Sequence, residues 1–212
     1  MQIKWEIILS FVTALAAIIA LVQTQRQITI SNKQSLFEKR VETYLIAKGL
    51  LELYKEHQHC LCRKGKGPYK AIETDFTWLT NNSFLESITK AISTPLQNPD
   101  HKIYLIKMEE LKNTSTKIEF MFSGKEASKL AEFVLLYQNL LTQMYKYKIL
   151  LTNMQEFSQK NNWDFDYALK YFNEPQQRKE LSNSLDRLQQ IYTYIENKNI
   201  IDKIEIQIKL SF

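Results

Sequence analysis

The chain has 212 residues, with 28 Lys or Arg against 23 Asp or Glu and a net charge of +5; that length allows one apolar core of ordinary size once a terminal anchor is set aside. Four glycines and four prolines fall well below the usual combined share of about 12%, so turns are few and helices long. Two cysteines, Cys60 and Cys62, exclude a secreted disulfide scaffold.

At the amino-terminal end, Ile7 to Val22 (IILSFVTALAAIIALV) is a run of sixteen mostly apolar residues. At 1.5 Å per residue it covers about 24 Å, somewhat short of the roughly 30 Å hydrocarbon layer. Ile3 and Trp5 extend the apolar surface, and Lys4 can reach the interface while its stem stays in apolar surroundings. Glu6 alone argues against insertion. A cleaved signal peptide would also start with a lysine and an apolar stretch. Gln23-Thr24-Gln25-Arg26, however, offers no small-x-small cleavage site, and helical patterning simply continues. A buried core helix would be bounded by caps and loops, which are missing here. Residues 1–22 therefore read as a transmembrane anchor in the lipid bilayer. Arg26, Lys33, Lys39 and Arg40 follow the span and only Lys4 precedes it, so the positive-inside tendency predicts an inner-membrane, single-pass protein with its carboxyl-terminal part in the cytoplasm. Within the span, Ser10, Thr13, Ala14 and Ala17 share one helix face. Small side chains let backbones approach in lipid, which predicts self-association into a homo-oligomer.

The next segment, residues 23–58, reads as a long juxtamembrane helix. It has no proline and only Gly49, and Leu36, Phe37, Val41, Tyr44, Leu45, Leu50, Leu51 and Tyr54 recur at helical spacing. Ser31 to Ser35 is its weakest point, where a kink is expected. Basic charge concentrates here. Residues 23–70 hold ten Lys or Arg against four Glu, whereas 71–212 hold seventeen against eighteen acidic residues. That pattern suits anionic lipid near the membrane and an anionic ligand further away, although a solvated face accounts for any single lysine.

His57, His59, Cys60 and Cys62 place four ligand types suited to zinc within six residues. The segment is too crowded to close a tetrahedral shell alone, so a metal would need ligands from a second subunit; the alternative is helix-end residues with no ligand. Arg63, Lys64 and Lys66, interleaved with Gly65 and Gly67 and followed by Lys70, combine positive charge with flexible backbone, the ingredients of a phosphate cradle. No Walker motif is present. On a straight helix the loop lies about 50 Å beyond Val22, so an anion bound there would be soluble, a nucleotide for example.

Residues 59–212 read as a helical domain. Short helices are expected over 71–79 and 83–93, a turn over 95–100 and a helix over 101–112. Ser123-Gly124-Lys125-Glu126 has the form of a capping box, with Ser123 accepting from the Glu126 amide and Glu126 returning to the Ser123 amide. It opens a long helix to about Gln159, on which Phe133, Tyr137, Leu140, Leu141, Met144, Tyr147 and Met154 form a core stripe. Helices are predicted over 163–172 and 175–197. The tail, residues 204–212, alternates apolar and polar residues and reads locally as a short strand, unless packing overrides it as helix.

Asp164 and Asp166 have no identifiable partner for acid-base work. The zincin helix, nucleophile elbow and dinucleotide fingerprint are missing, so neither an enzyme nor a cofactor is expected.

The amino-terminal span, Leu36-Phe37-Glu38-Lys39-Arg40 followed by Tyr44, and the later Phe120-Met121-Phe122-Ser123-Gly124-Lys125-Glu126 together resemble a broad set of poorly characterised bacterial single-pass proteins. That resemblance implies a cytosol-facing helical module without an agreed activity. Some membrane-tethered proteins of this build look like accessory effectors in antiviral defence. The sequence thus predicts an all-α, membrane-anchored, non-enzymatic interaction module that binds itself or a protein partner. The alternative is a membrane effector gated by a soluble anion or nucleotide.

Overall fold

The computed structural model of the chain describes residues 2–61 and 67–209. The elements are α1 (Gln2–His57), α2 (Ile72–Thr80), a 3₁₀ helix (Glu86–Ile92), α3 (Asp100–Met121), α4 (Gly124–Asn161), α5 (Phe165–Tyr171), α6 (Glu174–Asn197) and α7 (Ile200–Lys209). The fold is all-α, and no strand occurs among the described residues.

Helix α1 has 56 residues, about 84 Å at 1.5 Å per residue. It stays helical through residues 31–35, so no new helix starts at Ser31–Ser35. Residues 4–36 are exposed along their whole length. From Phe37 onward the same helix enters a core, with Tyr44, Ala47, Leu50 and Tyr54 buried. One element thus carries an uncovered apolar end, a polar middle and a packed end.

The bundle is built around α4, which packs most extensively against α6 and α3. Tyr54 of α1 meets Phe133 of α4 at 6.3 Å and Tyr192 of α6 at 5.2 Å between ring centroids, both edge-to-face. Phe76, Tyr137 and Tyr147 are other large side chains in the core. Contacts between helices set the directions. Thr43 lies against Met121 at the end of α3, and Tyr147 far along α4 meets Glu174 at the start of α6. Hence α1 and α4 run away from the apolar end, while α3 and α6 return towards it.

Helix α3 continues nine residues beyond its expected end at Lys112. Thr114 and Ser115 discourage a helix when exposed because their hydroxyls compete with the backbone. Here both are buried. The Thr114 hydroxyl donates to the Glu110 carbonyl at 2.8 Å, and that of Ser115 donates to the Ala131 carbonyl of α4 at 2.8 Å.

The capping box at α4 does not form as expected. Ser123 is the residue preceding the helix, but its side chain accepts no capping bond. Gln207 of α7 takes the reciprocal role: its carbonyl oxygen accepts the Ser123 amide at 2.9 Å, and its amide donates to the Ser123 carbonyl at 3.0 Å. Glu126 instead pairs with Lys203 of α7 at 3.3 Å.

The expected carboxyl-terminal strand is also corrected. Over the described part of the tail, the chain is the helix α7. Ile200, Ile204 and Ile208 are buried and Ile206 is 53% exposed, the four-residue period of a helix and not the two-residue period of a strand. The isoleucines fit both patterns, and the packing surface offered by α1, α4 and α6 selects the helical one.

Candidate functional site

Ser10, Thr13, Ala14 and Ala17 line one shallow groove on α1 together with Glu6 and Leu9. The Thr13 hydroxyl donates to the Leu9 carbonyl at 2.8 Å, which satisfies it within the helix. The expected face is therefore contiguous and open for close approach. By length and composition, α1 carries one segment able to cross a membrane.

The His57–Cys62 segment at the end of α1 is described as far as Leu61. His57 stacks on Trp78 of α2 with centroids 5.8 Å apart and rings 9° from parallel; His59 and Cys60 are exposed. Cys62 lies outside the described residues. Among the described residues no group of three or more His, Cys, Asp or Glu stands close enough to share a metal ion. The His57–Trp78 stack joins α1 to α2, a packing role that the sequence alone did not disclose.

Of the basic-loop residues, Arg63, Lys64 and Lys66 lie outside the described residues, and Lys70 is exposed just before α2. The chain leaving the loop is tied down. Gly67 accepts from the Arg178 guanidinium, the Tyr69 amide donates to the Tyr147 hydroxyl at 2.9 Å, and the Tyr69 hydroxyl bonds Asp75. Tyr147 in turn bonds Glu174, whose Oε1 lies 3.4 Å from Arg178 Nε. Asp75 is 1% exposed and Glu174 is fully buried. Burial, reinforced by the bond to Glu174, pushes the Tyr147 phenol well above its ordinary range. Glu174 is thus engaged by Arg178 and Tyr147, and Asp75 by Tyr69, so both acids serve to fasten the chain entering α2. Nothing in the local sequence marks Asp75 or Glu174 as buried; only the tertiary packing brings them together.

Asp164 and Asp166 have a structural explanation. Asp164 caps α5, its Oδ1 accepting the Asp166 amide at 2.6 Å and the Tyr167 amide at 3.2 Å. Close to it, Trp163 packs against Tyr167 and Tyr171 at 4.9 and 4.7 Å. These centroids are too close to admit a ligand between the rings.

Near the junction of α1 and α7, Tyr44 and Lys48 both bond Glu205, with the ammonium at 3.2 Å. Burial and the Glu205 hydrogen bond push Tyr44 up to about 12. The Tyr44 and Lys48 bonds hold the Glu205 carboxyl below the usual carboxylate range. This cluster fastens α7 to the segment of α1 where the bundle begins. No known protein family matches the chain, and neither a curated protein nor a solved structure matches it.

Proposed function

We propose that the protein is a membrane-anchored, non-enzymatic interaction module of the bacterial inner membrane, with its helical bundle on the cytoplasmic side, that works by self-association. The carrying observation is the division of α1: its apolar end, Ile7 to Val22, is wholly exposed, while its other end supplies Tyr44, Leu50 and Tyr54 to the core. An uncovered apolar stretch of this length is costly in water and at home in lipid. Arg26, Lys33, Lys39 and Arg40 support the cytoplasmic assignment of the bundle. The Ser10–Ala17 groove supports association between spans, since lipid supplies no hydrophobic drive and close backbone contact must supply the energy. The anion-gated alternative rests on Arg63, Lys64 and Lys66, which lie outside the described residues, and on Lys70, which is exposed.

The test uses the full chain in its membrane, with Cys60 and Cys62 changed to Ser. A cysteine at Ser10 or Ala17 is expected to form disulfide-linked dimers, whereas one at Ile19, on the opposite face, stays monomeric. Equal crosslinking at all three positions, or none at Ser10 and Ala17, would remove the support for association through this face.

A further inference from the structure

Two surfaces of the bundle are left without partners. The first is a groove between α4 and α6, lined by Lys125, Lys129, Leu136, Arg187, Ile191 and Tyr194, with a volume of about 690 Å³. The ammonium groups of Lys125 and Lys129 lie 5.8 and 5.7 Å from the Tyr194 ring centroid. Glu132 also lines the groove and pairs with Lys129 at 2.6 Å, leaving an excess of positive charge. The second surface is a ridge on α1. Glu38, Glu42, Leu45, Glu52 and Glu56 recur at steps of three, four and seven and are all exposed, Leu45 at 58%. Beside Glu52 and Glu56, Lys48 pairs with Glu205 and Lys55 with Glu196, and Glu52 borders the same cleft as both lysines together with Glu196 and Asp202, which leaves this stretch with more acidic than basic groups. The acidic ridge faces away from Ala47, Leu50 and Tyr54, the buried side of the same helix.

We propose that the groove receives the acidic α1 ridge of a second copy of this chain, giving a head-to-tail contact between neighbours in the membrane. The inference rests on the membrane-anchored reading above. Anchoring constrains the geometry, because every copy stands at the same height with its α1 pointing the same way. The heights match. Phe133 and Tyr192 share a level with Tyr54; at 1.5 Å per residue Lys129 lies about 6 Å nearer the membrane and Arg187 about 8 Å further from it. Glu52 and Glu56, about 3 Å to either side of that level, fall between the two cations. Tyr194, about 3 Å from that level, adds apolar area to the pairing, whereas Leu45, Glu42 and Glu38 lie about 14 to 24 Å nearer the membrane, so Glu52 and Glu56 are the part of the ridge that meets the two cations.

The charge signs are opposite, and the two surfaces lie on opposite sides of the α4–α6 wall, since Tyr54 of α1 meets the Phe133 and Tyr192 side while Leu136, Ile191 and Tyr194 face the groove. A contact between different patches of identical chains is heterologous and can close into a ring. Exposed ion pairs contribute little each. Confinement to the membrane plane supplies the effective concentration that makes such a contact form.

The experiment uses the full chain in its membrane, Cys60 and Cys62 changed to Ser, with two plasmid-borne copies. One carries Glu52→Cys and the other Lys129→Cys. The expected result is a heterodimeric disulfide that forms several-fold faster than the Glu52→Cys self-crosslink and weakens at high salt. Glu52→Lys with Glu56→Lys, or Lys129→Glu with Arg187→Glu, should reduce association by at least tenfold, and mixing the two double variants should restore it. Predominant Glu52–Glu52 crosslinking, or reversal variants that associate as the parent does, would overturn the inference. An anion such as ATP that binds the groove of the parent chain in membranes without affecting crosslinking would also overturn it. The Ser10→Cys crosslink, scored in the same membranes, separates the two ideas: if it persists while the ridge contact fails, the anchored self-associating reading stands without this interface.

Discussion

Single side chains in this protein do two kinds of work, and the phenols show both. Tyr44, Tyr104, Tyr137, Tyr147 and Tyr192 all have pKa values raised above the ordinary tyrosine range, with burial the largest cause in each. Tyr44 and Tyr147 additionally hold a carboxylate in place, Glu205 and Glu174. A group whose folded-state pKa is raised binds its proton more tightly in the folded chain. Its contribution to stability is therefore complete below the unfolded value of about 10 and is lost as pH rises through the folded value. For Tyr44 that window runs from about 10 to about 12. An absorbance titration at 295 nm is expected to show these five phenols ionising late and together with loss of helical circular dichroism. Early, reversible ionisation of all tyrosines with the helices intact would contradict the packing described for them.

Among the elements, the long helices were legible and their joints were not. Repeated spacing of apolar residues marks α1, α4 and α6 because each buries one stripe against a core, and that stripe is written in local order. The end of α3 was hidden, since Thr114 and Ser115 are buried there by tertiary packing and the Ser115 hydroxyl is accepted by Ala131 of α4, distant in sequence. The cap of α4 was hidden for a related reason: Gln207, distant in sequence, supplies the bond that Glu126 would have made. Helix α7 tests the distinction between local pattern and packing. Ile204→Ala should cost about 2–5 kcal/mol, as for other buried isoleucines, while Ile206→Ala should stay within about 0.5 kcal/mol. Denaturant unfolding of the two variants decides it. Equal losses at both positions would instead indicate the alternating face of a strand. Of the site residues, the span face could be read because Ser10, Thr13, Ala14 and Ala17 are neighbours on one helix. Asp75 and Glu174 could not be read, because their burial depends on four separate segments meeting.

At the scale of the whole molecule, one helix carries both the exposed apolar end and part of the bundle core. Helix α1 is continuous to His57 and links an apolar end to a packed bundle. All of this requires the apolar end to lie in lipid and the bundle to stand on the cytoplasmic side. Cys60 reports on both, because it is exposed at the far end of α1. In the full chain with Cys62→Ser, a membrane-impermeant maleimide is expected to label Cys60 on sealed inside-out vesicles, and the labelled protein should stay with the membrane after alkaline washing. Labelling only after the vesicles are ruptured, or release of the labelled chain into the wash, would contradict the account.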